Sequence, residues 1–80
     1  MTKVVHKKLG RHKAWGLVDE KRPNAKILID PRQRPKSYLG TLLHEKLHLL
    51  FPDFSETKII RLEREIAKLL WENNYRQVKQ

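Results

Sequence analysis

Cysteine is absent from this 80-residue chain. That excludes disulfides and thiolate metal sites together, so any metal here must be held by His, Asp or Glu. Long apolar runs are missing too. No stretch approaches the roughly 18 residues of a membrane span, and the opening MTKVVHKKLG is too polar for a signal peptide. The expectation is a soluble, cytoplasmic protein with no membrane partner. Acidic side chains are scarce, 9 against 18 Lys and Arg, for a formal charge of +9. The imbalance is local: residues 1–36 hold 11 basic and 3 acidic side chains, residues 37–80 hold 7 and 6. HKKLGRHK (6–13) and PRQRPK (31–36) concentrate the excess. Such a region attracts nucleic acid or an acidic protein, or serves only to keep the protein in solution.

Eighty residues make one domain with a thin stability margin, since so short a chain buries only about 60% of its unfolded surface. Neither repeats nor low-complexity segments divide it. Residues 1–34 form a basic region with three strand-like segments, Lys3–Lys7, Ala14–Asp19 and Ala25–Asp30. EKRPN (20–24) between the second and third is a polar hairpin connection. ILID (27–30) is the clearest strand, with Ile27 and Ile29 on one face and Leu28 on the other. Helical spacing takes over at Pro35, which suits a first turn because its missing N–H is no loss there. Leu39, Leu42, Leu43, Leu47 and Leu50 give an apolar stripe, and Gly40 leaves room for close packing. The first helix is expected over 35–51, ended by Pro52. Ser55 caps a second helix, expected over 55–77, with Ile59, Leu62, Ile66, Leu69 and Leu70 facing inward. Trp15 and Trp71 are expected to fill the core or its edge. The outline is β-β-β-α-α, an α+β fold with a small, mainly antiparallel three-stranded sheet and two packed helices.

The first helix contains His44-Glu45-Lys46-Leu47-His48. On a helix, positions four apart differ by about 40° in direction and about 6 Å in height, so both imidazoles can meet one ion. Shuffling this composition would spell HExxH in roughly 1% of chains, so the surroundings must decide its meaning. They favour a site. Two histidines and a glutamate beside the leucine stripe would be costly to satisfy without a task. A catalytic zinc typically takes three protein ligands and keeps one position open. If the chain reverses at Pro52, position 56 comes level with 48, which makes Glu56 the third ligand beside His44 and His48. Glu45 is then the general base that acts on a metal-activated water. Glu63 and Asp53 are candidates for holding an imidazole N–H. His12, Tyr38 and Tyr75 are candidates for steadying an oxyanion, and His6 reads as a surface histidine.

At this point the chain resembles the zincin metallopeptidases. HEKLHLLFPDFSE is similar to the gluzincin type, in which a Glu on the following helix completes the ligand set, and to short zincin-like proteins of phages and prophages. The resemblance covers about residues 24–66. It implies one Zn²⁺ per chain and a peptide or protein substrate held extended by a sheet edge, here supplied by the hairpin at 14–30. Departures exist: Phe51 stands where metzincins carry Gly, no third His follows, and only seven residues separate His48 from Glu56. Two other readings stay open. One is a basic nucleic-acid-binding module, although Glu63, Glu65 and Glu72 make the second helix a poor groove reader. The other is a zinc-binding zincin-like scaffold without turnover.

Overall fold

Alternation decides the sheet. In β3 (Lys26–Ile29), Ile27 and Ile29 are buried on one face while Leu28 is half-buried on the other, the two-residue period of a strand. β3 lies between β1 (Lys3–His6) and β2 (Gly16–Asp19), so the sheet order is β1-β3-β2. The computed structural model describes residues 2–10, 14–19 and 25–76. The EKRPN loop and His12 lie outside them. The fold is α+β as expected, but the sheet is mixed rather than mainly antiparallel. β2 runs antiparallel to β3 (Gly16 opposite Ile29), whereas β1 runs parallel to it (His6 opposite Ile29). β1 takes the other edge of β3 instead of pairing with its neighbour in sequence, and on that edge it points the way β3 does.

Asp30 makes this crossing possible. It follows β3 at the end of the sheet where β1 leaves and β2 begins. Its carboxylate is almost wholly buried and accepts the Leu9 N–H at 3.0 Å. Arg32 answers the charge with Nε at 2.9 Å, Nη2 at 2.6 Å and its backbone N–H at 3.0 Å. The Asp30 N–H donates to the Trp15 carbonyl at 2.9 Å. Two strand ends and the approach to the first helix therefore meet on one residue.

α1 (Pro35–Leu50) begins at its proline as expected and ends one residue before the expected 51. Tyr38, Leu42 and Leu49 lie within about 40° of arc and pack on Ile27 and Ile29. Each fully buried isoleucine of this core contributes roughly 1.5–3 kcal/mol. The leucine stripe of the sequence lies mostly on other faces, where Leu47 is buried but Leu50, in the last turn, is exposed.

α2 (Glu56–Glu72) is capped by Ser55, whose hydroxyl accepts the Lys58 N–H at 3.2 Å. It stops well short of the expected 77. Asn74 takes a left-handed conformation (φ 66°). The Asn74 N–H then donates to the Trp71 carbonyl and the Tyr75 N–H to that of Leu70, a Schellman termination that Asn tolerates. The helix is also rotated from expectation. Glu56, Ile59, Glu63, Ala67 and Leu70 lie within about 80° of arc, and of these Ile59 is fully buried, whereas Ile66 and Leu69 are exposed. Trp15 does not fill the core; it is exposed, while Trp71 is half-buried with the Arg76 guanidinium 3.5 Å above its ring. Among the described residues no helix is long and apolar enough to cross a membrane.

Candidate metal centre

The rotation of α2 brings its acids to the histidines. His44 Nε2 lies 2.7 Å from Glu56 Oε1, His48 Nε2 lies 2.9 Å from Glu56 Oε2, and the two Nε2 atoms are 3.2 Å apart. The three ligand atoms of His44, His48 and Glu56 fall within 4.8 Å of one another, so the group could hold a metal ion. The turn at Phe51–Phe54 sets this height: Pro52 breaks the helix, the Phe54 N–H closes on the Phe51 carbonyl at 3.1 Å, and the two rings stack 4.6 Å apart.

The donor set fits a cation on two counts. Two imidazole nitrogens about 2.0–2.1 Å from one tetrahedral ion lie about 3.3–3.4 Å apart, close to the 3.2 Å found here, while the Glu56 oxygens, at 2.7 and 2.9 Å from the nitrogens, would draw back by about half an ångström to ligate. The hydrogen bonding points the same way. His44 Nδ1 lies 3.0 Å from Glu63 Oε1, and a carboxylate there can only accept, so Nδ1 carries a proton. In the neutral ring Nε2 is then a bare lone pair, yet it faces a second carboxylate oxygen at 2.7 Å. A metal ion held at that point would relieve the two facing acceptors. Holding the far imidazole nitrogen by a carboxylate also fixes the tautomer that a ligand requires.

Glu63 thus sits behind His44, in the role that the sequence left open to it. Its carboxylate passes Gly40 closely, at a distance that would put an added Cβ in ordinary contact, 3.4 Å from Glu63 Oε2. Asp53 is exposed in the turn, and among the described residues it bonds neither imidazole.

No protein-family model, curated protein or solved structure matches this chain.

Glu45 occupies a different position from the ligands. It lies on the flank of α1 beneath β2, where a Cβ on Gly16 would come within 3.1 Å of its Cγ. Burial pushes its carboxyl above the ordinary range; His44 and His48 oppose that, and the Glu56 charge adds to it. Among the described residues its carboxylate accepts no hydrogen bond, which leaves it able to take a proton.

The oxyanion candidates fare differently. Tyr38 is buried against Ile27 and Ile29, its hydroxyl lies 2.7 Å from His6 Nε2, and burial raises its pKa. It is a core residue, and His6, exposed on the surface as expected, is its partner. Tyr75 lies at the far end of α2, about 25 Å of helix from Glu56. Four contributors escaped the sequence reading. Asp30 and Arg32 fix the strand ends. Gln33 joins α1 to β2 by donating to the Asp30 and Trp15 carbonyls and accepting from Ser37 at 2.7 Å and Thr41 at 2.8 Å. Gly16 keeps β2 low over Glu45. The available signal was the DPRQ run after an apolar strand, a polar cluster where the chain must turn.

Proposed function

We propose that this protein is a zincin-type metallopeptidase that uses one Zn²⁺ to hydrolyse peptide bonds, working in the cytoplasm. The observation that carries the reading is the convergence of His44 Nε2, His48 Nε2 and the Glu56 carboxylate, with Glu45 beside them and bonded to none of the described residues. Two imidazoles and a carboxylate suit zinc among the common divalent ions. Bound there, zinc supplies Lewis acidity that lowers the pKa of water to about 7 and polarises a carbonyl.

The chain's own residues do the remainder. Glu63 holds the Nδ1–H of His44 and keeps its Nε2 aimed at the ligand point. Glu45 accepts a proton from the attacking water and returns it to the leaving amine. The hydroxyl thus ends on the carbonyl carbon and the proton on nitrogen as the C–N bond breaks. A carboxyl raised by burial is suited to both halves of that transfer. β2 is an outer strand of the sheet order and passes directly over Glu45 at Gly16. A peptide added along such an edge by main-chain hydrogen bonds would carry its carbonyl groups past the site.

Metal content and turnover test this together. The wild type should hold about one zinc per chain, lost in His48→Ala and Glu56→Ala. Glu45→Gln should keep the metal and lose at least a hundredfold in hydrolysis of a mixed peptide library. A wild type that takes up no metal removes the site. One that holds zinc and cleaves nothing in the library is a scaffold, and full activity in Glu45→Gln ends the peptidase reading.

A further inference from the structure

The face of α1 that carries His44 continues toward the start of the helix as a groove of about 730 Å³. Its walls are Ser37, Gly40 and Thr41 from α1, and Arg64, Ala67 and Lys68 from α2. It adjoins the metal centre directly. Glu63 lines the groove and also bonds His44 Nδ1, and Gly40 and Thr41 lie within about 6 Å of rise from His44. Gly40 and Ala67 are why the space exists, since neither carries a side chain long enough to fill it.

Charge distinguishes this end of the cleft. Arg34 and Lys36 stand at its mouth and Arg64 and Lys68 along its wall, all four exposed. Two acids share the lining. Glu63 is committed to His44, and among the described residues Glu72 meets only Lys68, at 4.0 Å on the surface, where such a pair is worth little. The hydroxyls of Ser37 and Thr41 both donate to Gln33 Oε1, which leaves the cations as the recognition elements. At its other end the groove reaches the candidate metal centre through Glu63, which bonds His44, itself 2.7 Å from Glu56.

We propose that this groove binds acidic side chains of the substrate, so that the site selects peptide segments with Asp or Glu clustered on one side of the cleaved bond. The cleavage in that statement rests on the peptidase reading; the binding does not. A strand carrying several carboxylates is extended, fits between two helices, and gains from four cations that no other described group neutralises fully. Complementary charge of this kind acts on encounter and selectivity, and it weakens with salt.

Fluorescence anisotropy with a labelled Glu/Asp-rich peptide and its Gln/Asn counterpart tests the groove on the zinc-loaded full chain. The acidic peptide should bind on the order of tenfold more tightly at about 50 mM salt, and lose that advantage at about 500 mM. Arg64→Glu/Lys68→Glu should abolish the preference while circular dichroism and zinc content stay unchanged, and Lys36→Glu should reduce it by itself. Equal binding of the two peptides, or a preference that survives both charge-reversed proteins, overturns the proposal. So does an oligonucleotide of matched charge that binds more tightly than the acidic peptide and is released by the same variants. Cleavage of both peptides with equal affinity would sink the groove and leave the peptidase standing. Charge-dependent binding lost in the variants, with neither peptide cut, would sustain the groove and sink the peptidase.

Discussion

Replacing Gly16 with alanine tests how closely β2 is held over α1. A Cβ at this position would lie 2.6 Å from Thr41 Cγ2 and 3.1 Å from Glu45 Cγ, so something must move. β2 cannot lift easily, because Gly16 is paired opposite Ile29 and the preceding carbonyl accepts the Asp30 N–H. Thr41 cannot rotate freely either, since its hydroxyl is bonded to Gln33 at 2.8 Å. Forcing a methyl into such a contact costs about 1–3 kcal/mol. No glycine of the described chain has positive φ, so alanine meets no backbone penalty and regains about 0.4–1 kcal/mol from the unfolded state. The net loss is about 1–2 kcal/mol, and at about 4–8 °C per kcal/mol for a domain of this size Tm falls by roughly 5–15 °C. Gly40→Ala is the control. Its nearest new neighbour is Glu63 Oε2 at 3.4 Å, an ordinary contact, and it should stabilise by up to about 1 kcal/mol through helix propensity. Urea titrations of both variants, and of Gly16→Ala/Thr41→Ser, decide the matter. The double variant removes the clashing methyl and keeps the hydroxyl, so it should recover at least half of the loss. Gly16→Ala as stable as wild type, or no recovery in the double variant, would refute the packing argument.

Three further outcomes follow from the site and its supports. Zinc at a hundredfold above its dissociation constant should stabilise by about 2.7 kcal/mol, and a Tm indifferent to zinc and to chelator would count against the ligand cluster. Glu63→Gln should hold zinc about 10–100-fold more weakly, measured by competition with a chromophoric chelator; unchanged affinity would make Glu63 a bystander. Asp30 is held well below the usual carboxylate range, chiefly by its hydrogen bond to Arg32, with the Leu9 N–H next. Its folded pKa is the depressed one, so its stabilisation is complete above about pH 4 and is lost as pH falls from there toward the folded value. Asp30→Asn should therefore be less stable at pH 7 and show a shallower acid decline, as read from urea midpoints; parallel decline in both proteins would refute the assignment.

The helices and the His44, His48 and Glu56 group that could hold a metal were legible because they depend on local signals. Pro35, Pro52 and Ser55 act through their own backbones, and four-residue spacing on a helix settles which way His44 and His48 face. Even the height of Glu56 follows from a short turn. The rest is decided across the fold. The parallel placement of β1 depends on Asp30 reaching the Leu9 N–H, which no window of sequence displays. The rotation of α2 was hidden because Ile59, Leu62, Ile66 and Leu69 make a convincing apolar series, while the face that turns inward holds Glu56 and Glu63. Apolar periodicity cannot see a face whose acids are matched by histidines on another helix. The stop at Asn73-Asn74 was missed, although an asparagine after an apolar series is a signal for a left-handed cap.

The connection between the ligands also bears on the order in which the molecule assembles. His44, His48 and Glu56 fall within one helix–turn–helix stretch, so closing the loop between them demands little chain entropy. The sheet is the opposite case, joining Val5 to Leu28 across intervening chain. Contacts close in sequence form fastest, and an ion that bridges α1 and α2 would act on the early, local part of the pathway. The helical hairpin would then stand as a template on which β3, and after it β1, is laid down.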